Sequence, residues 1–308
     1  MKVAVVGPGA LGCLIAVLLK ARTKEEIWLI DRSPERAKRI RADGIKIEGL
    51  SGSIQAQVNI SADPKEVGPC GLVILCVKSY STEDACKDIK DLVSKETFVL
   101  TLQNGIGNVQ VLNDYFGSDR VIAGITNHGV TLLGTGHVRH AGKGDTIIGI
   151  SNGKVLGPIK EIAGILSKAG LETKVSKDID SVVWSKLVIN VGINALTGIT
   201  RLKNGMLTEH SGTREILRSA VQEAVKIVKR KRIKLAYDDP IQKVESVCKA
   251  TAANVSSMLQ DVLNNKRTEI DFINGAIMRQ GKALGIPTPV NEVLTALIKT
   301  IEAAYGIV

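Results

Sequence analysis

Two groups of residues in this 308-residue chain have the types and the spacing to do chemistry. The first is Gly7-Pro8-Gly9-Ala10-Leu11-Gly12, a Gly-x-Gly-x-x-Gly run directly after a short apolar stretch and at the mouth of a helical pattern. In that context Gly7 serves a tight turn, Gly9 lets backbone approach a pyrophosphate, and Gly12 allows close helix-to-strand packing. Asp31 ends the second apolar stretch, nineteen positions after Gly12. A carboxylate there accepts hydrogen bonds from ribose hydroxyls and repels a 2′-phosphate. Its neighbour Arg32 can instead pair with that phosphate, so a dinucleotide is expected and NADPH and NADH both stay open.

The second group is Lys186, Asn190 and Asn194. They lie four apart in a segment, 182–196, that is apolar around most of its circumference. Spacing by four puts them in one line on one helix face. Burying two unsatisfied amides costs roughly 1–3 kcal/mol each, and an unpaired ammonium costs more. The line must therefore face a polar cleft or a set of partners; a purely structural network is the alternative.

These groups need elements to position them. The first half alternates apolar runs (2–6, 26–30, 73–77, 97–102, 121–126) with helical patterns (10–22, 34–43, 82–93), Ser33 being a cap candidate for the second. Runs apolar on both faces and alternating with helices predict a parallel sheet covered on both sides. The stretch 135–150, with His137-Val138-Arg139-His140 and Thr146-Ile147-Ile148, reads as an antiparallel hairpin extending that sheet. Beyond Lys174 only helical patterns follow, at 179–196, 213–231, 240–264, 269–284 and 292–305. The expected architecture is an α/β, Rossmann-type doubly wound domain over 1–176 and an all-α domain over 177–308, closely packed with a cleft between them.

Ligands of open α/β sheets bind beyond the carboxyl ends of the strands. Lys78, Asn104 (in Gln103-Asn104-Gly105) and Asn127-His128 each follow an apolar run and are expected on that rim. His128 reads equally as a proton donor or a cleft-lining residue. Asn254, Ser256 and Ser257 are expected near the end of one long helix, and Thr268 and Asp271 to form a capping-box-like start of the next. By spacing alone Glu269 is only a favourable first-turn acid.

Composition narrows the partners. A hydrophobic fraction of 44% is enough for real cores and excludes a disordered chain. The net charge of +10 invites nucleic acid, but only nine residues are aromatic (two Trp, four Tyr, three Phe), too few for base-stacking surfaces. The densest basic run, Lys229-Arg230-Lys231-Arg232, ends a helical pattern, where cations favour the helix dipole. Five scattered cysteines without Cys-x-x-Cys, and four dispersed histidines, predict a reduced, cytoplasmic protein without a metal site. Glycines and Pro8 interrupt the apolar N-terminus as no signal peptide would, and no run has the ~20 uninterrupted apolar residues of a membrane span.

Together these motifs resemble a known family. The Gly7 to Gly12 fingerprint, Val77-Lys78-Ser79, Gln103-Asn104-Gly105, Trp184-Ser185-Lys186-Leu187-Val188-Ile189-Asn190 with Asn194, Asn204-Gly205, Ser256-Ser257-Met258-Leu259-Gln260-Asp261 and Thr268-Glu269-Ile270-Asp271-Phe272-Ile273-Asn274-Gly275 are similar, in order, to the ketopantoate reductase (2-dehydropantoate 2-reductase) family. The resemblance implies reduction of the 2-oxo group of ketopantoate to D-pantoate by a nicotinamide cofactor, in pantothenate and coenzyme A synthesis. It implies that Lys186 protonates the substrate oxygen and that Glu269 fixes the substrate hydroxyl and the lysine. Asn190, Asn194 and Ser257 match substrate-binding positions, and Asn204 a further polar one. Lys78 and Asn104 match residues between cofactor and substrate, Glu269 bordering the cofactor as well. The family generally uses NADPH, with a basic residue ending the second strand, whereas this chain has Asp31 before Arg32. Other readings are a reductase of another branched or aromatic 2-oxo acid and a non-catalytic dinucleotide sensor; a homodimer is compatible with all of them.

Overall fold

The computed structural model describes residues 1–151 and 157–306. The chain divides into two compact units, Met1–Gln103 with Asn108–Ile179, and Asn104–Gly107 with Asp180–Val308. The first unit contains β1 (Lys2–Val6), α1 (Ala10–Arg22), β2 (Glu26–Ile30), α2 (Pro34–Asp43), β3 (Ile45–Gly49), β4 (Ile54–Ala56), β5 (Asn59–Ser61), β6 (Leu72–Leu75), α3 (Thr82–Asp88), β7 (Phe98–Thr101), α4 (Asn108–Phe116), β8 (Val121–Thr126), β9 (Gly129–Gly134), β10 (His137–Gly142), β11 (Thr146–Gly149), α5 (Gly157–Lys168) and β12 (Thr173–Val175). The second is built from α6 (Ile179–Thr200), α7 (Ser211–Arg230), α8 (Pro240–Ala250), α9 (Ser257–Leu263), α10 (Asn274–Leu284) and α11 (Pro289–Ala303).

The main sheet has the order β12-β11-β8-β7-β6-β1-β2-β5, and its six strands from β8 to β5 run parallel. Every residue of β6 and β8 is buried, which is why these runs show no polar alternation. Sequence neighbours leave β1 in both directions, β2 on one side and β6 on the other. The switch point therefore lies at the carboxyl end of β1, where the Gly7 to Gly12 loop begins. A second sheet, β4-β3-β10-β9, packs on α1. Helix α1 thus has neighbours all round, and its residues from Gly12 to Leu19 are all buried.

The expected hairpin over 135–150 does not form. His137–Gly142 pairs with β9 and β3 in the second sheet, while Thr146–Gly149 pairs antiparallel with β8 in the main sheet. Each half finds a different partner because the segment crosses from one layer to the other. In the second sheet β3 alternates apolar and polar residues, β4 has three residues, and β9 is bounded by glycines with Leu132 and Leu133 exposed, so no continuous apolar run announces them.

Two long helices predicted in the second half are each interrupted. The 240–264 pattern breaks after Ala250, where the carbonyls of Ala252 and Asn254 accept from the backbone N–H groups of Gly205 and Asn204 instead of continuing a helix. Ser256 then restarts it as the N-cap of α9, accepting from the Leu259 N–H at 3.1 Å. The 269–284 pattern is a 3₁₀ turn over Ile270–Phe272 followed by α10, separated by Ile273 at φ −111, ψ −93. The capping box is absent there: Thr268 Oγ1 accepts from Ile270 N–H, while the Asp271 carboxylate goes to Lys299 at 2.7 Å. Likewise 82–93 is α3 plus a 3₁₀ turn at Lys90–Leu92. The basic run Lys229-Arg230-Lys231-Arg232 is exposed at the end of α7.

Helix α6 is apolar and long enough to cross a membrane by length and composition, but 67% of its apolar window is buried within the protein. It is the spine of the helical core, with Leu187, Val188, Val191, Ala195 and Leu196 packed among residues of α7, α8 and α11.

The two sheets of the first unit are tied by a buried polar chain. His128 Nδ1 lies 2.9 Å from His140 Nε2 on β10, and His140 Nδ1 lies 2.6 Å from Ser51 Oγ. Burial pushes both imidazoles down, His128 from 6.5 to about 4. A depressed folded-state value stabilises the fold above the unfolded value and is lost as pH falls from about 6.5 towards 4. The contribution is on the order of 2–3 kcal/mol. Thermal midpoints measured from pH 8 to 4 should therefore fall less steeply below pH 6.5 in His128→Gln than in the parent; parallel curves would remove the linkage.

Candidate active site

The glycine loop has the geometry its residue types predict. Gly7, at φ +99, donates its N–H to Ile30 O at 2.9 Å, and a Cβ there would lie 2.8 Å from Val77 Cγ1. A Cβ on Gly12 would overlap the Gly7 carbonyl oxygen. Gly9 differs, because a Cβ there would meet nothing within 4 Å. It is the N-cap of α1, which has no side-chain cap and no acid in its first turn. An uncapped helix N-terminus at the switch point, with open space before it, fits a dinucleotide pyrophosphate. Pro8 is buried, and Ala10 and Leu11 are partly buried along the loop.

Asp31 follows β2 but does not present an open carboxylate. Arg36, in the first turn of α2, donates to it through Nε at 2.5 Å and also through Nη2, and the Ser33 N–H adds a third bond at 3.1 Å. Arg32 is exposed. Lys78 follows β6 and precedes a 3₁₀ turn at Ser79–Ser81. Behind it lies a buried polar network. Gln103 Nε2 donates to Val77 O (2.9 Å) and Thr82 Oγ1 (2.8 Å), and Asn108 bonds both Thr82 and Ser79.

In the second unit the residues Asn104 to Gly107 are pinned against the Ile270–Phe272 turn. The Ile106 N–H donates to Phe272 O at 3.1 Å, and Gly105, at φ +81, lies so close that a Cβ would overlap the same carbonyl. That pinning sets Asn104 Nδ2 3.5 Å from Glu269 Oε2. Glu269 is buried, although sequence spacing offered no reason to single it out. Lys186 is largely buried on α6, and loss of solvation brings its ammonium down from 10.5 to about 8, with the Glu269 carboxylate pulling in the opposite direction. Asn190 and Asn194 continue the line, Asn194 only 5% exposed, and neither side-chain amide has a hydrogen-bond partner among the described residues. This arrangement can hold a polar ligand and deliver a proton to it.

Other expected site residues are placed differently from one another. Ser257 is exposed at the first position of α9. Its neighbour Ser256 is the buried one, 2.6 Å from Thr197 Oγ1, three residues past Asn194 on α6. Asn204 is buried and donates to Thr251 Oγ1 at 2.9 Å, leaving its Oδ1 without a partner among the described residues. His128 is held by His140 as described and is depressed too far to carry a proton at neutral pH. Sequence reasoning missed Arg36, the Gln103–Thr82–Asn108 network and the Tyr237 hydroxyl, which donates to Ser185 O at 2.8 Å beside Lys186.

Comparisons with known proteins identify the family. The sequence profile described as ketopantoate reductase PanE/ApbA matches residues 3–153, and that of its C-terminal part matches 178–302. The chain is 37% identical to a 2-dehydropantoate 2-reductase of Pyrococcus horikoshii (99% of each chain covered), and 34% identical to one of Halobacterium salinarum (97% of this chain, 98% of that one). Among solved structures, a PanE/ApbA family ketopantoate reductase from Ralstonia eutropha JMP134 superposes with a TM-score of 0.90 at 35% identity, covering 98% of this chain and 99% of that one. D-mandelate dehydrogenase with NADH and anilino(oxo)acetate gives 0.91 at 29%, covering 99% of each. With matching profiles across both units and full-length relatives above 30% identity, the chain belongs to the ketopantoate reductase family.

Proposed function

We propose that this protein reduces the 2-oxo group of 2-dehydropantoate to D-pantoate, with a dinucleotide domain over 1–176 and a helical substrate domain over 177–308. The observation that carries the reading is Lys186. A largely buried ammonium with its pKa near 8, beside Glu269 and in line with two amides that lack partners among the described residues, suits proton delivery to an anionic polar substrate. When bound, a nicotinamide dinucleotide supplies the hydride equivalent; Gly7 to Gly12 would hold its pyrophosphate and Lys78 and Asn104 would line its reactive end. Lys186 Nζ donates its proton as negative charge develops on the substrate oxygen, an interaction strongest in the transition state. Glu269 orients the substrate hydroxyl and the ammonium together. Asn190, Asn194 and Ser257 bind the substrate, the serine near its carboxylate, and Asn204 shapes the polar wall through Thr251. Five unpaired cysteines support a reducing, cytoplasmic setting.

A second reading rests on the likeness to D-mandelate dehydrogenase: the same machinery would reduce an aromatic 2-oxo acid. Steady-state assays with 2-dehydropantoate and an aryl 2-oxo acid at equal concentrations separate the two. The first reading expects the larger kcat/KM for 2-dehydropantoate, and the reverse order would replace it with the second.

Replacing Lys186 by Met should lower kcat about 10²- to 10⁴-fold, the usual worth of a general acid, while dinucleotide titration still shows binding. Near-parent turnover would exclude Lys186 as the donor. Because the donor must be protonated, the rate of reduction should fall tenfold per pH unit above about 8. Glu269→Gln removes the attraction that raises the Lys186 value, so its alkaline limb should move to lower pH. A limb that stays in place would show that another group titrates.

A further inference from the structure

The end of β2 carries an arrangement that the order of residues hides. Asp31 stands where an acidic side chain reads the ribose diol of an unphosphorylated dinucleotide and repels a 2′-phosphate. Its carboxylate, however, is already engaged. Oδ2 accepts from Arg36 Nε at 2.5 Å, Oδ1 accepts from Arg36 Nη2 and from Ser33 N–H at 3.1 Å, and the side chain is 1% exposed. With three of its four acceptor positions taken and its charge offset by the guanidinium, this carboxylate keeps only one position on Oδ2, and the pair as a whole no longer repels a phosphate.

Arg36 is the half of the pair that remains accessible, its side chain 44% exposed. Asp31 takes one edge of the guanidinium, Nε with Nη2. The other edge, Nη1 with the outer Nη2 proton, makes no hydrogen bond among the described residues. A guanidinium can bind two oxyanions edge by edge, so this one still presents a phosphate-shaped fork. Its backbone is fixed by Ser33, whose hydroxyl caps α2 by accepting from Arg36 N–H at 3.2 Å, and by Pro34 at the first helical position. Glu35, the acid in that first turn, accepts from the Ser33 hydroxyl at 3.1 Å. The exposed Arg32 adds a second cation immediately before the cap. The Cys13 thiol, in the first turn of α1, feels both Arg36 and Asp31, which puts the pair against the glycine loop.

We propose that Arg36 is the specificity-determining residue for the cofactor: it masks Asp31 and, with Arg32, seats the 2′-phosphate, so that the protein selects NADPH over NADH. The inference rests on the dinucleotide reading of the glycine loop and deepens it. The usual reading of an acid at the end of the second strand is thereby reversed by a residue five positions later, which no short motif includes.

Binding of NADPH, NADH, 2′,5′-ADP and 5′-ADP to the full chain, by calorimetry or by fluorescence of the reduced cofactor, tests this without any substrate. The parent should bind NADPH roughly 10- to 100-fold more tightly than NADH, the worth of one or two charge-assisted hydrogen bonds, and should favour 2′,5′-ADP likewise. Arg36→Met should invert the order, weakening NADPH and tightening NADH as Asp31 is released to the ribose diol. Asp31→Asn should keep the NADPH preference, since the amide retains an acceptor for Arg36 and adds no repulsion. Should Arg36→Met fail to fold because a buried carboxylate is stranded, the double variant Asp31→Asn/Arg36→Met removes both charges and should bind the two cofactors within about threefold of each other. A parent that binds NADH as well as NADPH, or a preference that survives loss of Arg36 in either variant, overturns the proposal. If neither cofactor binds the folded parent, the dinucleotide reading itself is wrong and the inference goes with it.

Discussion

The helical unit is organised around one electrostatic constraint: an ammonium must sit on the most apolar helix of the chain without being neutralised. Desolvation alone would drive Lys186 to release its proton, since burial of a charged amine costs several kcal/mol. The Glu269 carboxylate offsets part of that cost. The balance leaves a group that is mostly protonated at neutral pH yet gives its proton up far more readily than an ordinary lysine. That is the condition under which a general acid works best, since it must both hold a proton and transfer it. Much of the surrounding architecture follows from keeping Glu269 in place. The interruption of the 269–284 helix, the pinning of Gly105 on Phe272 O and the bond from Asn104 all concern the few residues around this carboxylate.

The first unit answers a different demand, the capture of a large anion by backbone. Here the constraint is steric. Strand β1 ends at the switch point, α1 begins after a bare Gly9, and the positive φ of Gly7 turns the chain between them. The second sheet matters for the same reason. By covering α1 on its far side it allows that helix to be apolar from Ala10 to Leu19, so its N-terminus can be held rigidly without any side chain capping it.

How much of this was legible depended on whether the signal was periodic and local. The alternating runs announced the parallel strands, and the four-residue spacing of Lys186, Asn190 and Asn194 announced the polar line along α6, because both patterns are imposed by a single element's geometry. The strands β3, β4 and β9 were not legible, since each becomes a strand only by pairing with β10 or its neighbour. The 240–264 helix was misread for a related reason. Its apolar pattern continues, but the carbonyls of Ala252 and Asn254 are claimed by Asn204 and Gly205, some fifty residues away in sequence. Glu269 was silent by spacing and became meaningful only through resemblance and then through Asn104. Arg36 was silent altogether, because its importance lies in what it does to Asp31.

Arg36 and Lys186 obey the same logic in two different units. Each is a cation proposed to meet a ligand, and each is paired with a buried carboxylate, Asp31 at 2% and Glu269 at 6% exposure. In the first case the carboxylate fixes the direction of a guanidinium whose charge is never in doubt, so what is controlled is orientation. In the second it acts on an amine whose charge is conditional, so what is controlled is protonation. An arginine could not replace Lys186, because it would not release a proton near neutrality. A lysine could not replace Arg36, because it has no second edge to offer once the first is bound. The chain's surplus of ten positive charges thus says little by itself, while the two cations proposed to select and transform the anionic ligands are set one at a time by acids.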